Sequence, residues 1–598
     1  MLLRKRFLAA ALLMALLLVA CARAAPTATP TRAPVAAPTA TPTRAAPAAA
    51  TPTPTTAPVV RAAPTTTPIP ATPTPTARVG PKGTLNVIDE MATELWLIRI
   101  SQSDNPLDYV GEPLMGWNWG ADAPVNNSLL ESWSSKVNAD GSVDWTFKIR
   151  KGVKFHKGWG EVTAEDVKSS LADYLKPGSV SPHASTLVGF FGKDSKNLTA
   201  VDTYTLGIHQ PSQTNMLEIF RSMSADHPTS LRPYPKKYME QVGEDGFNKV
   251  PVFAGPYEFV SQQRGYDVRL KAVPDHYRVT PGFAEIHYFK VLEEATKVAM
   301  LRSGQVDVAP VAARFASELK SSGIRIAVSE NALEPFVGLG GMFPGRPKCD
   351  PTVPWVGGCT AEAMLSGNPL KVRRALNLDV DRQAIVDKIQ FGYGEQGIVS
   401  FSFISPKFPW WNPDWKPLPY DPKQAKQLLT EAGYPNCFEF KFYFIAGQSY
   451  SADVGEAVAS TWEKDLGCKI NRVLQEYRPT LRTMLVERTS AGWAYLFEGS
   501  PIARPFRYAC FHGGPAYEVI VHTEQPYFTE LCSKLNKTLD PAEMVSIEKQ
   551  IGDNEYKYYP TVAISLVHQT FGVGPKVKKW EPVPTDKRAG LLEYAEPK

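Results

Sequence analysis

Nothing in the 598 residues spells an enzyme or a nucleotide site: GxSxG, HExxH and GxxxxGKS/T are all absent. These absences remove the nucleophile elbow, the zinc-binding helix and the phosphate loop. Histidine is scarce, with nine residues scattered singly, and no CxxC or HxxxH spacing offers a metal a ligand set. His156 therefore reads as a structural or surface residue, and His512 and His522 do not read as a metal pair. No catalytic residue, metal ligand or cofactor is expected. Catalytic groups can still be assembled in space from distant positions. A secreted hydrolase thus stays open as a competing class, as does a purely structural surface protein.

Acidic side chains are missing from the first 80 residues, which hold eight of the 65 basic ones. The remainder carries 57 basic against 60 acidic groups, so it shows no nucleic-acid footprint. Arg4, Lys5 and Arg6 precede an unbroken apolar run of fourteen residues, Phe7–Ala20. That run is too short to span a bilayer and suits the core of a signal peptide. Leu18-Val19-Ala20-Cys21 resembles the lipobox of bacterial lipoproteins. The resemblance implies a signal segment of residues 1–21, acylation of Cys21 and an extracytoplasmic protein anchored in the cell membrane by lipid. Cleavage after Ala22-Arg23-Ala24, releasing a soluble protein, is the alternative. Residues 22–80 are almost wholly Ala, Thr, Pro, Arg and Val, too poor in apolar area to offset their ordering entropy. They read as a disordered, proline-stiffened tether with a reach on the order of 100 Å. Arg23, Arg32, Arg44, Arg61 and Arg78 suit an anionic lipid surface.

Setting Cys21 aside leaves six of the seven cysteines, and an exported chain permits disulfides. Proximity favours Cys349–Cys359, which closes a Pro/Gly/Trp loop, then Cys437–Cys468 and Cys510–Cys532.

Beyond residue 80 the chain alternates short β-rich runs with helical patterns. Asp144–Ile149 alternates polar and apolar, as a half-buried strand does. Thr163 and Asp166 stand at N-cap and N3 spacing ahead of a helix from Ala164 to Leu175. Further strands are expected at 83–88, 438–444 and 468–474, and helices at 295–303, 372–378, 382–389, 422–432, 454–465 and 541–551. Asp421-Pro422 and Asp540-Pro541 are start signals and Gly433 is a stop. This alternation argues for an α/β protein with mixed sheets.

The segment Arg150–Leu171, with Ser128–Trp133 before it, resembles a signature of the peptide/nickel-type (family 5) extracellular solute-binding proteins of ABC importers. Gly255-Pro256-Tyr257-Glu258-Phe259 with Pro274-Asp275-His276-Tyr277 is similar to that family's GPY…PDYW pair. Leu301–Asp307 resembles its SGxxD helix end, and Asn368–Asn377 followed by Asp381–Ile385 its VRxAL…DRxxI segment. Tyr420–Tyr434 is similar to its YDPxxAxxLLxEAGY helix. The motifs fall in the family's order. The resemblance implies a two-lobed periplasmic-binding-protein-like fold of class II type, with hinge strands between the lobes. Lobe I would comprise 81–335, including an inserted subdomain at about 115–245, and the returning segment 568–598; lobe II would be 336–567. The crossings would fall at Pro335–Gly341, whose glycines suit a hinge, and at Ala563–Val567.

An interlobe pocket needs aromatic walls and a few placed polar groups. Two aromatic clusters qualify, Phe408–Trp415 with Trp410 and Trp411, and Trp117-Asn118-Trp119, where packing is the expected role. Peptide binders of the family commonly carry a GWxADYxDP-like segment, whose aspartate pairs with the ligand's ammonium group. Here the segment reads Trp493-Ala494-Tyr495-Leu496-Phe497-Glu498-Gly499-Ser500-Pro501 and lacks that aspartate; Arg504 and Arg507 follow. Expected ligand contacts are Trp410, Trp411, Trp493, Tyr495, Glu498 and Arg504. An oligopeptide leads as ligand, with an oligosaccharide, an organic anion or a nickel chelate as alternatives. The partners implied are an ABC permease and ATPase complex, contacted by a monomer.

Overall fold

The computed structural model describes residues 80–598 apart from 90–94, 98, 101–106, 119–122, 177–178, 180–183, 213–219, 221–222, 225–230, 400–407, 447, 449, 500–523, 536 and 539. Residues 1–79, with Cys21 and nearly all of the expected tether, and Trp119, Arg504, Arg507, Cys510, His512 and His522 lie outside the described residues. The strands, in chain order, begin with β1 (Thr84–Asp89), the small hairpin β2 (Gly116–Asn118) and β3 (Ala123–Val125), and the antiparallel sheet β4 (Leu130–Val137), β5 (Val143–Ile149), β6 (Leu198–Asp202) and β7 (Thr205–Gln210). Next come β8 (Tyr257–Gln263), β9 (Asp267–Ala272), β10 (Glu285–Lys290), β11 (Val308–Val311) and the long β12 (Arg325–Leu339). After β13 (Gly394–Gln396) follow β14 (Glu439–Ile445), β15 (Lys469–Gln475) and β16 (Trp493–Gly499). The chain ends with β17 (Thr561–Ala563), β18 (Ser565–Val573), β19 (Val577–Lys579) and β20 (Glu596–Pro597).

The expected local signals produce the expected elements. β5 buries every second residue, which puts Val143, Trp145, Phe147 and Ile149 on the core face. Thr163 and Asp166 close a reciprocal capping box at the helix Ala164–Asp173: Thr163 Oγ1 accepts from the Asp166 N–H, and the Thr163 N–H donates to Asp166 Oδ2 at 3.0 Å. The helix Pro422–Glu431 starts at Asp421 with proline in its first turn, and Gly433 beyond it takes φ of 94°. The helix Pro541–Tyr558 runs a further seven residues past its expected end at Ile551. In this added stretch the Asp553 carboxylate accepts hydrogen bonds from Trp415 Nε1 and Asn412 Nδ2, which ties the helix to the aromatic loop.

One mixed sheet runs in the order β15-β14-β16-β12-β18-β11-β1-β10-β9-β8 among the described residues, with β13 on β18 and β17 on β12. β12 and β18 connect two apolar cores. Val87, Ile286, Val308, Ala327 and Phe571 belong to the first half, and Val337, Leu376, Phe442, Trp462 and Ile564 to the second. β12 pairs with β18 as far as Leu333 opposite Val567, then with β16 and β17 from Glu334 onward. The molecule is thus a two-lobed α/β protein with mixed sheets.

The glycines of the expected crossing are built into the sheet. Gly338 is paired on both sides, opposite Tyr495 and Thr561. A Cβ on Gly340 would stand 1.9 Å from the Ser490 carbonyl oxygen, so this glycine permits close backbone approach. The irregularity in β12 lies earlier, where its register with β18 shifts between Ser329 and Leu333 and Asn331 takes φ of 54°.

Candidate functional site between the lobes

The sheet register locates a cleft. β1 runs parallel to β10 and β11, and β14 runs parallel to β15 and β16. β11 ends at Val311, opposite Thr570 of β18, and Thr570 stands opposite Val328 of β12. β16 ends at Gly499, opposite Glu334 of β12. The carboxyl ends of both parallel sets therefore meet the same short stretch of β12, residues 328–334. Open α/β sheets bind ligands outside the carboxyl ends of their strands.

A cavity of about 420 Å³ lies there, within the range of small-molecule pockets. The first half contributes Glu294, Lys297, Arg314 and Gln569, and the second Lys388 and Tyr450. Each follows from an element end. Glu294 and Lys297 open the helix Glu294–Ser303, which begins four residues after β10, and Arg314 lies three residues past β11. Lys388 closes the helix Arg382–Lys388, and Tyr450 immediately precedes the helix Ser451–Thr461.

Glu294 is engaged twice, by Lys297 Nζ at 2.8 Å and by the Ala312 N–H at 2.8 Å. The Tyr450 N–H donates to Glu498 Oε1 at 2.6 Å, and the Glu498 N–H donates to Gln448 Oε1 at 3.1 Å. Burial, with the Glu498 and Glu294 carboxylates nearby, pushes the Tyr450 hydroxyl up to about 12. Tyr450 thus remains a neutral hydrogen-bond donor across the physiological range.

The residues singled out in the sequence take several places. Glu498 is buried at the end of β16 and reaches the cavity through Tyr450. Trp493 and Tyr495 are buried on the opposite face of β16, among Tyr443, Leu481 and Leu485, and Trp493 Nε1 donates to the Thr489 carbonyl. Trp410 is 2% exposed and stacks on Phe408 at 4.7 Å. It packs with Phe528, Leu531 and Ile547 of the two following helices. Trp411 packs edge-on against Trp415 at 5.3 Å on the same cluster. None of these four aromatics lines the 420 Å³ cavity; each packs within an apolar cluster. Trp117 is likewise buried. Cys349 is joined to Cys359 and Cys437 to Cys468. His156 is buried, with Nε2 2.8 Å from the Gly255 carbonyl, which makes it structural. Among the described residues no group of three or more His, Cys, Asp or Glu is placed to hold a metal.

Sequence reading missed Glu294, Lys297, Arg314, Lys388, Tyr450 and Gln569. Their common signal is position just past a strand or at a helix end, which carries meaning only once strand direction is known.

Comparison with known proteins identifies the architecture. Residues 124–491 match the model of bacterial extracellular solute-binding proteins, family 5, middle region. The chain belongs to this family. It is 26% identical over 374 residues to heme-binding protein A of Haemophilus influenzae, covering 59% of this chain and 62% of that protein. It is 28% identical over 321 residues to the glutathione-binding protein GsiB of Escherichia coli K12, covering 52% and 54%. The matched stretch thus spans less than two thirds of these curated relatives. The structure of HbpA2 from Haemophilus parasuis superposes with a TM-score of 0.68 at 20% identity, over 86% of this chain and 100% of that one, a likeness of fold.

Proposed function

We propose that this family 5 protein is the substrate-binding lipoprotein of an ABC importer, and not an enzyme. It captures a small solute, foremost an oligopeptide, between two lobes and presents it as a monomer to a permease and ATPase complex. Lobe I is 81–335 with 568–598, including the inserted subdomain at about 115–245, and lobe II is 336–567. The separation of the two apolar cores supports this division. Acylated Cys21 anchors the protein outside the cell membrane, and residues 22–80 tether it.

The observation that carries the reading is the meeting of strand carboxyl ends from both halves at residues 328–334, beside a cavity lined from both sides. A ligand seated there contacts both lobes only when they are closed, so its binding energy shifts the population toward closure. The name of the glutathione-binding relative supports a peptide-like ligand, since glutathione is a tripeptide. Glu498 and Arg504 are the proposed polar anchors; Trp410, Trp411, Trp493 and Tyr495 are proposed as further ligand contacts, which requires them to turn out of the apolar clusters they pack in.

The test is a thermal-shift panel of peptides, oligosaccharides, organic acids and nickel chelates on the purified full chain in mild detergent, with product analysis alongside. A ligand at one hundred times its dissociation constant adds about 2.7 kcal/mol. A saturable shift without turnover supports the receptor, and turnover of the same compound overturns it. If Glu498→Ala and Arg504→Ala both leave affinity unchanged, the anchor assignment fails.

A further inference from the structure

Arg314 and Lys388 line the interlobe cavity from opposite halves. Among the described residues neither is ion-paired, and the Arg314 guanidinium lies 4.8 Å from the Phe315 ring. Two of the three neighbouring acids are held by other groups. Glu294 holds Lys297 and the Ala312 N–H, and Glu498 accepts from the Tyr450 N–H. Asp453 is exposed in the first turn of the helix Ser451–Thr461, where helix N–H groups favour its charge. The Tyr450 hydroxyl, kept protonated by its surroundings, adds a neutral donor to the same wall.

The geometry points to an oxyanion subsite: the cavity takes a carboxylate or phosphate group of the captured solute, held by Arg314 of one lobe, Lys388 of the other and the Tyr450 hydroxyl. Arginine and lysine around a partly enclosed space form the usual receptor for such groups. Their placement on different lobes has a conformational consequence. Closing the cleft empty brings two like charges toward one low-dielectric space, which opposes closure. An anion between them reverses the sign of that interaction. Charge on the ligand thereby becomes the switch, favouring the closed form by its differential affinity. A neutral or purely cationic solute lacks this contribution. The inference rests on the receptor reading, because it presumes that this cavity is where the solute sits.

Citrate and inorganic phosphate serve as probes, titrated into the purified full chain at constant low ionic strength, with melting temperature as the readout. A saturable rise is expected with at least one of them. The apparent dissociation constant should weaken at least tenfold in Arg314→Gln and in Lys388→Gln. Both positions are exposed, so these variants fold. Tyr450→Phe should weaken it less, and Lys237→Gln, on a remote exposed helix face, should leave it unchanged. A rise with citrate alone assigns a carboxylate, and one with phosphate alone a phosphate. No saturable rise overturns the subsite, as does a rise that persists unchanged in both cation variants. The receptor reading fails differently, through the absence of closure with every member of the solute panel.

Discussion

At the scale of single residues, two buried titratable groups make opposite demands on pH. Asp379 is fully buried, and neither carboxylate oxygen has a hydrogen-bond partner among the described residues. Burial, with Asp465 nearby, pushes it from 3.8 up to about 8. The folded state binds this proton more tightly than the unfolded state, so the stability due to Asp379 is complete below pH 4 and falls as pH rises toward 8. Asp379→Asn should therefore raise the unfolding free energy at pH 8 by on the order of 5 kcal/mol, and by almost nothing at pH 4. Denaturant unfolding at the two pH values checks it; equal gains at both would refute the assignment. His156 behaves the other way. Burial lowers it to about 4, and its Nδ1 has no partner among the described residues, so charging it in place strands a buried cation. Its contribution is complete above pH 6.5 and is lost as pH falls toward 4. The melting temperature of His156→Gln should accordingly fall less between pH 6.5 and 4.5 than that of the parent chain.

At the scale of elements, the disulfides close loops of different length. Cys437–Cys468 spans 31 residues and Cys349–Cys359 spans 10. Loop-closure entropy gives roughly 3.7 kcal/mol for the longer and 2.7 kcal/mol for the shorter. The double alanine variant at 437 and 468 should thus lose more stability than that at 349 and 359, measured by denaturant midpoint. A reversed order would show that the loops act through native-state packing instead. The legibility of elements also divides by range. Capped helices such as Ala164–Asp173 and Pro422–Glu431 were readable because Thr163, Asp166, Asp421 and Pro422 act within one turn. β12 was not. Nearly all of its second half is buried on both faces, so no alternation marks it, and Pro335 within it argues against a strand. Only its long-range pairing with β16, β17 and β18 makes it one.

At the scale of the whole molecule, the motif order pointed to two lobes, and the cores of lobe I and lobe II fall on either side of β12 and β18. The site was less legible. Glu498 was visible as the acid closing its segment, yet its tie to the Tyr450 N–H depends on a neighbour 48 positions away. Trp410 and Trp411 carry no local sign of their packing, because aromatic side chains serve cores and pockets alike and the helices they pack against, Pro526–Leu535 and Pro541–Tyr558, lie more than a hundred residues on. Arg314 and Lys388 carry no local signal, since each is one exposed cation until the lobes face each other across the cavity.

The central claim is that a solute binds between the lobes and closes them. Small-angle X-ray scattering on the purified chain, without ligand and at saturation with the strongest member of the solute panel, tests it most directly. The account predicts a smaller radius of gyration and a shortened maximum dimension with ligand, both lost when Arg314→Gln and Lys388→Gln are combined. Identical scattering curves with and without a ligand that demonstrably binds would contradict it.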